Sequence, residues 1–136
     1  MFFKSRSSEK KSLVAIHDAV RPLVSIATIE SCFDLALEKG NAIPVISPPE
    51  SVREELHGHS RPLSRDTIKL VQTPQVFESD LLLEAYSVPF NPDFTDDASV
   101  IEANGTIINL IPGNQENIKI TTPQDLIFAE AVLRTN

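Results

Sequence analysis

The stretch from Leu13 to Ser47 restricts the possible folds most, because it combines two apolar strands with an intervening helix. Residues Leu13 to Ile16 form a short apolar run typical of a strand that is buried on both faces in a parallel sheet. Residues 25–40 carry apolar side chains at helical spacing, and Gly40 is a typical C-terminal stop. Residues 41–47 form a second apolar run. Because a crossover helix joins parallel strands, this order predicts an α/β fold in which the two strands are parallel.

Residues 48–64 interrupt this pattern. They contain three prolines, two histidines and charges of both signs, a composition that predicts an excursion from the sheet, such as an arm or a lid. The chain then returns through a strand over residues 66–74 that ends at Pro74. Residues 78–86 predict a short helix with Ser79 as a candidate N-cap.

The last third of the chain predicts two more helices and two more strands. One helix begins after Thr95, a good N-cap, and ends at Gly105. Strands are predicted over residues 106–113 and 117–120. The final helix is predicted over residues 121–135, with a near capping box made by Thr122 as N-cap, Pro123 at the first position and Asp125 at the third.

The composition excludes several classes of protein. Hydrophobic residues make up 41% of the chain, which suits one globular domain over residues 13–136 after a polar segment at 1–12. No apolar run approaches the ~20 residues of a membrane span. The net charge of −7 argues against a broad nucleic-acid surface. Cys32 is the only cysteine, so neither an intrachain disulfide nor a cysteine zinc cluster can form, and a cytoplasmic location is the default expectation.

Two charged residues follow the first predicted strand, at the end where ligands bind in open α/β sheets. A carboxylate at Asp18 is suited to hold Mg²⁺ together with substrate phosphates, and the planar guanidinium of Arg21 is suited to a phosphate. The alternative is that Asp18 caps a turn and pairs with Arg21, and the sequence leaves both open. His17 is better explained as a packing or hydrogen-bonding residue than as a catalytic base.

Later in the chain, Lys119 alternates with two isoleucines and so faces away from them if this segment is a strand. There it would either neutralise phosphate charge in a transition state or act as an edge-strand lysine that blocks aggregation. Glu116 is either a second metal ligand or a plain loop acid, and Arg65 is either a phosphate ligand or solvated. Asp96 and Asp97 resemble a metal site, but their place in a first helical turn favours capping.

Four segments together resemble one protein family. The segments HDAVRP, RDTIKLVQTPQVF, TDDASVIEANG and ENIKITTPQDLIFAEAVL occur in the order and at the spacing typical of 2-C-methyl-D-erythritol 4-phosphate cytidylyltransferases of the non-mevalonate isoprenoid pathway. The resemblance extends from about Leu13 to about Leu133. It implies a partial Rossmann-like nucleotidyltransferase sheet, mostly parallel, with helices on both faces and a projecting arm at about residues 48–64.

The resemblance also implies a reaction. The phosphate of methylerythritol phosphate attacks the α-phosphorus of CTP, pyrophosphate leaves, and a cytidine diphosphate conjugate forms. Such transfers depend on positioning and charge neutralisation by Mg²⁺ and cationic side chains. The implied partners are therefore CTP, a polyol phosphate and a second copy of the chain, since the arm of the family crosses to a second subunit.

Roles for individual residues follow from the same resemblance. Asp18 would be a catalytic, metal- or substrate-contacting acid with Arg21 beside it, and Lys119 would stabilise charge around the α-phosphate. Arg65 would bind the phosphate of the polyol, and Ser51 falls where the family tends to carry a threonine on its arm. These two arm residues would serve the site of the partner subunit. Glu116, where many members carry aspartate, is a tentative second metal ligand.

The chain also departs from the family pattern. Family members begin with a nucleotide-binding half that contains a Gly-rich loop, whose backbone N–H groups close on phosphates. This chain has four single glycines and no G-x-G, so it resembles the C-terminal portion of the enzyme. A ribitol 5-phosphate cytidylyltransferase and a non-catalytic oligomerising remnant are the alternative functions.

We expect the isolated chain to bind CTP weakly and to turn over negligibly, because it lacks a Gly-rich phosphate loop of its own. Calorimetric titration with CTP and magnesium measures this directly. Low-micromolar affinity for CTP would contradict the expectation.

Overall fold

A computed structural model describes residues 12–87, 92 and 94–135 of the chain. The predicted polar segment at residues 1–12 lies outside the described residues except for Ser12. In chain order the elements are β1 (Leu13–Ile16), α1 (Ile26–Lys39), β2 (Asn41–Ile46), β3 (Val52–Leu56), β4 (His59–Leu63), a short 3-10 helix (Arg65–Thr67), β5 (Leu70–Val71), β6 (Gln75–Glu78), α2 (Ser79–Ala85), α3 (Asp97–Glu102), β7 (Leu110–Pro112) and α4 (Pro123–Thr135).

Five of these strands form the main sheet of the described residues, in the order β1-β6-β2-β5 with β7 paired to β2. Strand β6 is antiparallel to both β1 and β2, β5 is antiparallel to β2, and β7 is parallel to β2. The prediction of a mostly parallel sheet is therefore wrong for the pairing of these strands. Strands β1 and β2 do run in the same direction, as predicted, but β6 lies between them.

Strand β6 was not predicted from the sequence, although it holds the two halves of the sheet together. Its alternating side chains reach both faces. Val76 packs with Cys32, Ala36 and Ala42 on the face covered by α1. Phe77, which is fully buried, packs on the other face against residues of α2 and α3. The predicted helices on both faces are thus confirmed.

Helix α1 begins and ends as its sequence predicts. The hydroxyl of Ser25 accepts a hydrogen bond from the Thr28 N–H at 3.1 Å and so caps the first turn. At the other end Gly40 adopts a φ of 89°, and its N–H donates to the Ala36 carbonyl at 2.8 Å. That left-handed conformation favours glycine.

The predicted excursion is also confirmed. Strands β3 and β4 pair with each other in a separate two-stranded sheet and turn at His57 and Gly58, both with positive φ. This hairpin, with its flanking residues 48–51 and 64, is called the arm below.

Several details of the predicted elements are wrong. Strand β1 is half-buried or exposed along its length rather than buried on both faces, because it pairs on one side with β6 alone among the described strands. Glu78, not Ser79, occupies the N-cap position of α2. Asp96 rather than Thr95 caps α3, which ends at Glu102 before Gly105. Of the predicted strands over residues 66–74 and 106–113, only Leu70–Val71 and Leu110–Pro112 are paired, and residues 117–120 form no strand.

The capping box of α4 is confirmed. The Asp125 carboxylate accepts hydrogen bonds from the N–H groups of Thr121 at 2.9 Å and Thr122 at 2.7 Å, and the Asp125 N–H donates to the Thr122 hydroxyl at 3.3 Å. Within the part of the chain that the structure describes, no helix is both long and apolar enough to cross a membrane.

Acid is expected to loosen the start of α4. The hydrogen bonds from Thr121 and Thr122 hold the pKa of Asp125 below its ordinary value of 3.8. A carboxyl group whose pKa is lowered by folding stabilises the folded state at pH values above its ordinary pKa. That contribution is lost as the pH falls through the pKa of the group in the folded state. Between about pH 5 and about pH 2, the amide protons of Thr121 and Thr122 should therefore lose protection, measured by hydrogen exchange corrected for intrinsic rates.

The Asp125→Asn variant is the control, because its side chain stays neutral throughout. Its first turn should show the same corrected protection at both ends of that pH range. Equal acid sensitivity in Asp125→Asn and the unmodified chain would contradict the assignment.

Candidate active site

The loop that follows β1 is anchored at three points. The Asp18 N–H donates to the Thr73 hydroxyl at 3.0 Å, and the Arg21 N–H closes a turn on the Asp18 carbonyl at 3.0 Å. Further along, the Ile120 N–H donates to the Val20 carbonyl at 2.9 Å. The last bond places the segment around Lys119 directly beside the loop.

These anchors bring together three predicted site residues. The Nε of Arg21 and the Nζ of Lys119 lie 3.1 Å and 3.4 Å from the same oxygen, Oδ2 of Asp18. Burial disfavours the charged form of Asp18, but the hydrogen bonds and charges of Arg21 and Lys119 outweigh it, so that its pKa lies below the ordinary 3.8. The carboxylate therefore stays ionised at neutral pH with two cations against it.

This ionic cluster lines an open cavity of about 500 Å³. The two cations and Asp18 form one part of its wall, and Asp96 and Asp97 at the start of α3 form another. Among the other lining residues are His17, Val71, Gln72, Thr73 and Gln75. A mixed wall of this kind offers cations to a phosphate and carboxylate oxygens to hydroxyl groups or cations.

His17 links the loop to Thr73. Its Nε2 lies 3.1 Å from the Arg21 carbonyl, and its Nδ1 lies 2.8 Å from the Thr73 hydroxyl. Because a carbonyl oxygen only accepts, Nε2 must carry a proton, and in the neutral tautomer Thr73 then donates to Nδ1. This supports the interpretation of His17 as a hydrogen-bonding residue.

The carboxylates at the start of α3 have structural partners. The Asp96 carboxylate accepts from the Ser99 N–H at 2.9 Å in a capping box and from the Gln75 side chain at 3.0 Å. Asp97 accepts from the hydroxyl of Tyr86, and that bond is the main reason why the pKa of Tyr86 rises to about 12. Capping is thus confirmed for Asp96.

Three predicted site residues lie outside the cavity. Glu116 lies in a different hollow beside the start of α1, where Asn114 donates to it at 3.1 Å, so the structure does not bring Glu116 to Asp18. Ser51 and Arg65 lie on and just after the arm; both are exposed, and Arg65 donates to the Pro49 carbonyl at 3.2 Å. Among the described residues no group of three histidine, cysteine, aspartate or glutamate side chains is placed to hold a metal ion.

Sequence reasoning missed Gln72 and Asn117, two amides buried behind the ionic cluster. Asn117 accepts a hydrogen bond from Arg21 through its carbonyl at 2.8 Å, and Gln72 donates to the loop that contains Asn117. The available signal was the polar pair Gln72 and Thr73 directly after the apolar Leu70 and Val71.

Comparisons with known proteins point to one family. The family model described as 2-C-methyl-D-erythritol 4-phosphate cytidylyltransferase (IspD) matches residues 5–135. A protein of that name from Bacteroides fragilis is 54% identical over 121 residues, which cover 89% of this chain and 55% of the relative.

Solved structures with the same fold confirm the predicted Rossmann-like α/β class. The 2-C-methyl-D-erythritol 4-phosphate cytidylyltransferase of Thermus thermophilus has a TM-score of 0.79 at 35% identity, over 90% of this chain and 62% of that one. The 4-diphosphocytidyl-2C-methyl-D-erythritol synthase of Anaerococcus prevotii has a TM-score of 0.81 at 27% identity, over 96% and 62% respectively.

The chain spans about half the length of the curated relatives it matches. The match nevertheless covers nearly all of its own residues and includes every segment that forms the cavity. The chain therefore belongs to the 2-C-methyl-D-erythritol 4-phosphate cytidylyltransferase family.

Proposed function

We propose that the cavity binds the phosphate end of 2-C-methyl-D-erythritol 4-phosphate in the cytidylyl transfer from CTP to that substrate. The observation that carries the proposal is the cluster of Arg21 and Lys119 around Asp18 on the wall of a 500 Å³ cavity. The relatives that match the chain bear the name of this activity.

The proposed roles follow from charge and position. Arg21, whose side chain is only 13% exposed, is a fixed guanidinium that can meet a phosphate with its remaining N–H groups. Lys119, 50% exposed, is the more accessible cation; it neutralises charge on the methylerythritol phosphate and, during the transfer, at the α-phosphate. Asp18 keeps both cations at the cavity before the substrate arrives, so that little reorganisation is needed.

In the transfer, an oxygen of the methylerythritol phosphate forms a bond to the α-phosphorus of CTP. The bond from that phosphorus to the bridging oxygen of the β-phosphate breaks, and pyrophosphate leaves with the electron pair. No covalent bond to the protein is needed, so positioning and charge neutralisation carry the catalysis.

The residues fit one mode of magnesium binding. Mg²⁺ is often held by one or two carboxylates together with substrate phosphates and water rather than by a complete protein cage, and Asp18 offers one carboxylate on the cavity wall. When bound, the ion would neutralise phosphate charge. Glu116 is not part of such a site, because it lies in the other hollow.

Binding measurements distinguish the proposed function from two alternatives. The names of the relatives favour methylerythritol phosphate over ribitol 5-phosphate, and calorimetry with both compounds on the same sample distinguishes them. A non-catalytic remnant would bind neither compound while remaining folded.

Replacing Lys119 is expected to weaken binding of 2-C-methyl-D-erythritol 4-phosphate. Lys119→Gln removes one charge-assisted contact to a phosphate, which should raise the dissociation constant about tenfold or more. Isothermal titration calorimetry of the folded chain measures it. Lys69→Gln is the matched control, because Lys69 bonds Ser47 and does not line the cavity.

A dissociation constant that changes equally in Lys119→Gln and Lys69→Gln would remove Lys119 from the site. Absence of binding by the folded, unmodified chain would remove the proposal itself.

We further propose that Ser51 and Arg65 serve the site of a partner subunit in a homodimer joined through the arm. In the single chain both are exposed, and neither lines the cavity. The family resemblance assigns this crossing to the arm.

Mixing two variants tests this exchange. Lys119→Gln and Arg65→Gln each damage every site of their own dimers, but in a mixed dimer one site receives both native side chains if Arg65 acts across the interface. After co-expression, about one quarter of all sites should recover native affinity, since half of the dimers are mixed and each has one intact site. A mixture that binds no better than its separate components would show that Arg65 does not act in the partner's site.

A further inference from the structure

The segment that carries Lys119 is held without a strand ladder. Residues 117–120 form no strand. The N–H groups of Asn117 and Ile118 bond back to the carbonyls of Asn114 at 3.1 Å and Glu116 at 2.7 Å, and the Ile120 N–H bonds the Val20 carbonyl at 2.9 Å. A lysine on such a segment would not keep a fixed position relative to Asp18 unless other contacts fixed the backbone before it. Those contacts come from Asn117.

Asn117 is fully buried and bonds to two parts of the site at once. Its side-chain Nδ2 donates to the Thr73 carbonyl at 2.8 Å, and its main-chain carbonyl accepts from the Nη1 of Arg21 at 2.8 Å. Thr73 in turn accepts from the Asp18 N–H. One residue therefore links the Lys119 segment to the guanidinium of Arg21 and, through Thr73, to the backbone of Asp18.

Gln72 completes the attachment from the sheet side. Its side chain is buried, and its Nε2 donates to the carbonyls of Asn114 at 2.9 Å and Asn117 at 3.3 Å. Its main-chain N–H donates to the Pro44 carbonyl at 2.8 Å in β2. The Gln72 side chain is thus a second attachment, besides Asn117, of the loop before Lys119 to the end of the sheet.

Gly113 shows how closely this side chain fits. A Cβ at Gly113 would lie 2.2 Å from the Oε1 of Gln72, so any larger residue there would displace the amide. The glycine at this position therefore leaves room for the Gln72 amide; it does not serve a positive φ.

The buried amide at residue 117 is not the choice that stability alone would favour. The Oδ1 of Asn117 is buried without a hydrogen-bond partner, and an unsatisfied buried acceptor destabilises the fold. The NH₂ groups of the two amides, by contrast, donate to backbone carbonyls of the site loops, and that of Asn117 also donates to the Oε1 of Gln72 at 3.5 Å. The buried amides are therefore best explained by the orientation that they impose on the loops carrying Arg21 and Lys119.

We infer that Asn117 and Gln72 are positioning residues that fix Arg21 and the Lys119 segment beside Asp18. The inference rests on the proposed function only in treating Arg21 and Lys119 as substrate-binding groups; the positioning itself is a property of the unliganded chain.

The decisive experiment compares Asn117→Ala with Asn41→Ala. Asn41 is an equally buried asparagine that bonds Ile107 and Asn109, and it does not line the cavity. Hydrogen exchange of the Arg21 Nε–H is followed by NMR in folded, unliganded samples. In Asn117→Ala the exchange should be about tenfold faster or more, because the main-chain carbonyl of residue 117 that accepts from the guanidinium is no longer held in place by the side-chain bond to Thr73. In Asn41→Ala it should stay as in the unmodified chain.

Equal Arg21 exchange in the two variants would overturn the inference, because a merely structural role predicts the same effect from both. If Asn117→Ala does not fold, Gln72→Met takes its place: it keeps the size of the side chain and loses both donated bonds. Hydrogen exchange of the side-chain NH₂ protons of Asn117 in the unmodified chain tests the inference without any variant. If these protons exchange as fast as those of the exposed Asn104, the inference is overturned.

Calorimetry with 2-C-methyl-D-erythritol 4-phosphate on the same samples separates the two proposals. A chain that does not bind this compound contradicts the proposed function, while the Arg21 comparison still decides the positioning role.

Discussion

The structure depends most on the antiparallel strand β6, which lies between β1 and β2. Its consecutive residues Val76 and Phe77 pack into the cores on opposite faces of the sheet. The helices on each face therefore pack against a residue of β6. The residues just before β6, Gln72 and Thr73, bond the loops that carry the charged groups. The same short segment thus fixes the core and the cavity.

The ionic cluster cannot itself be what holds those loops. The side chains of Asp18 and Lys119 are 32% and 50% exposed, and ion pairs in contact with water contribute little free energy because solvent screens them. Loss of a hydrogen bond between buried groups lowers the free energy of unfolding more. A buried donor or acceptor left without a partner is more unfavourable than the intact bond is favourable. The fold therefore brings the charges together, and the charges remain available to a phosphate.

The sequence was informative where local rules act and failed where tertiary contacts decide. Helix α1 follows from spacing and Gly40, and the capping box of α4 follows from Thr122 and Asp125, because these signals are local. The meeting of Asp18 and Lys119 was implied by the family resemblance, which gives both a role at the phosphates, although Lys119 lies outside any strand. Strand β6 could not be found in this way, because four residues that follow a proline carry too little periodicity. The alternating isoleucines around Lys119 indicated a strand, and both are indeed half-buried with Lys119 exposed between them, but the segment pairs with no described strand.

The arm raises a different question of stability. A two-stranded hairpin is marginal in water unless it packs against something else, and most residues of β3 and β4 are exposed, with Val52, Glu54 and Leu63 half-buried. Leu56 near the tip is 58% exposed. The bonds of Arg53 to Ser60 and of Arg61 to Glu54 join the two strands to each other and add no apolar burial. A partner surface that covered the arm would supply the missing burial and fix Ser51 and Arg65 in the same step. The single chain has a formed cavity on the sheet, and two predicted site residues are exposed on either side of the hairpin, which is the arrangement that such an exchange would require.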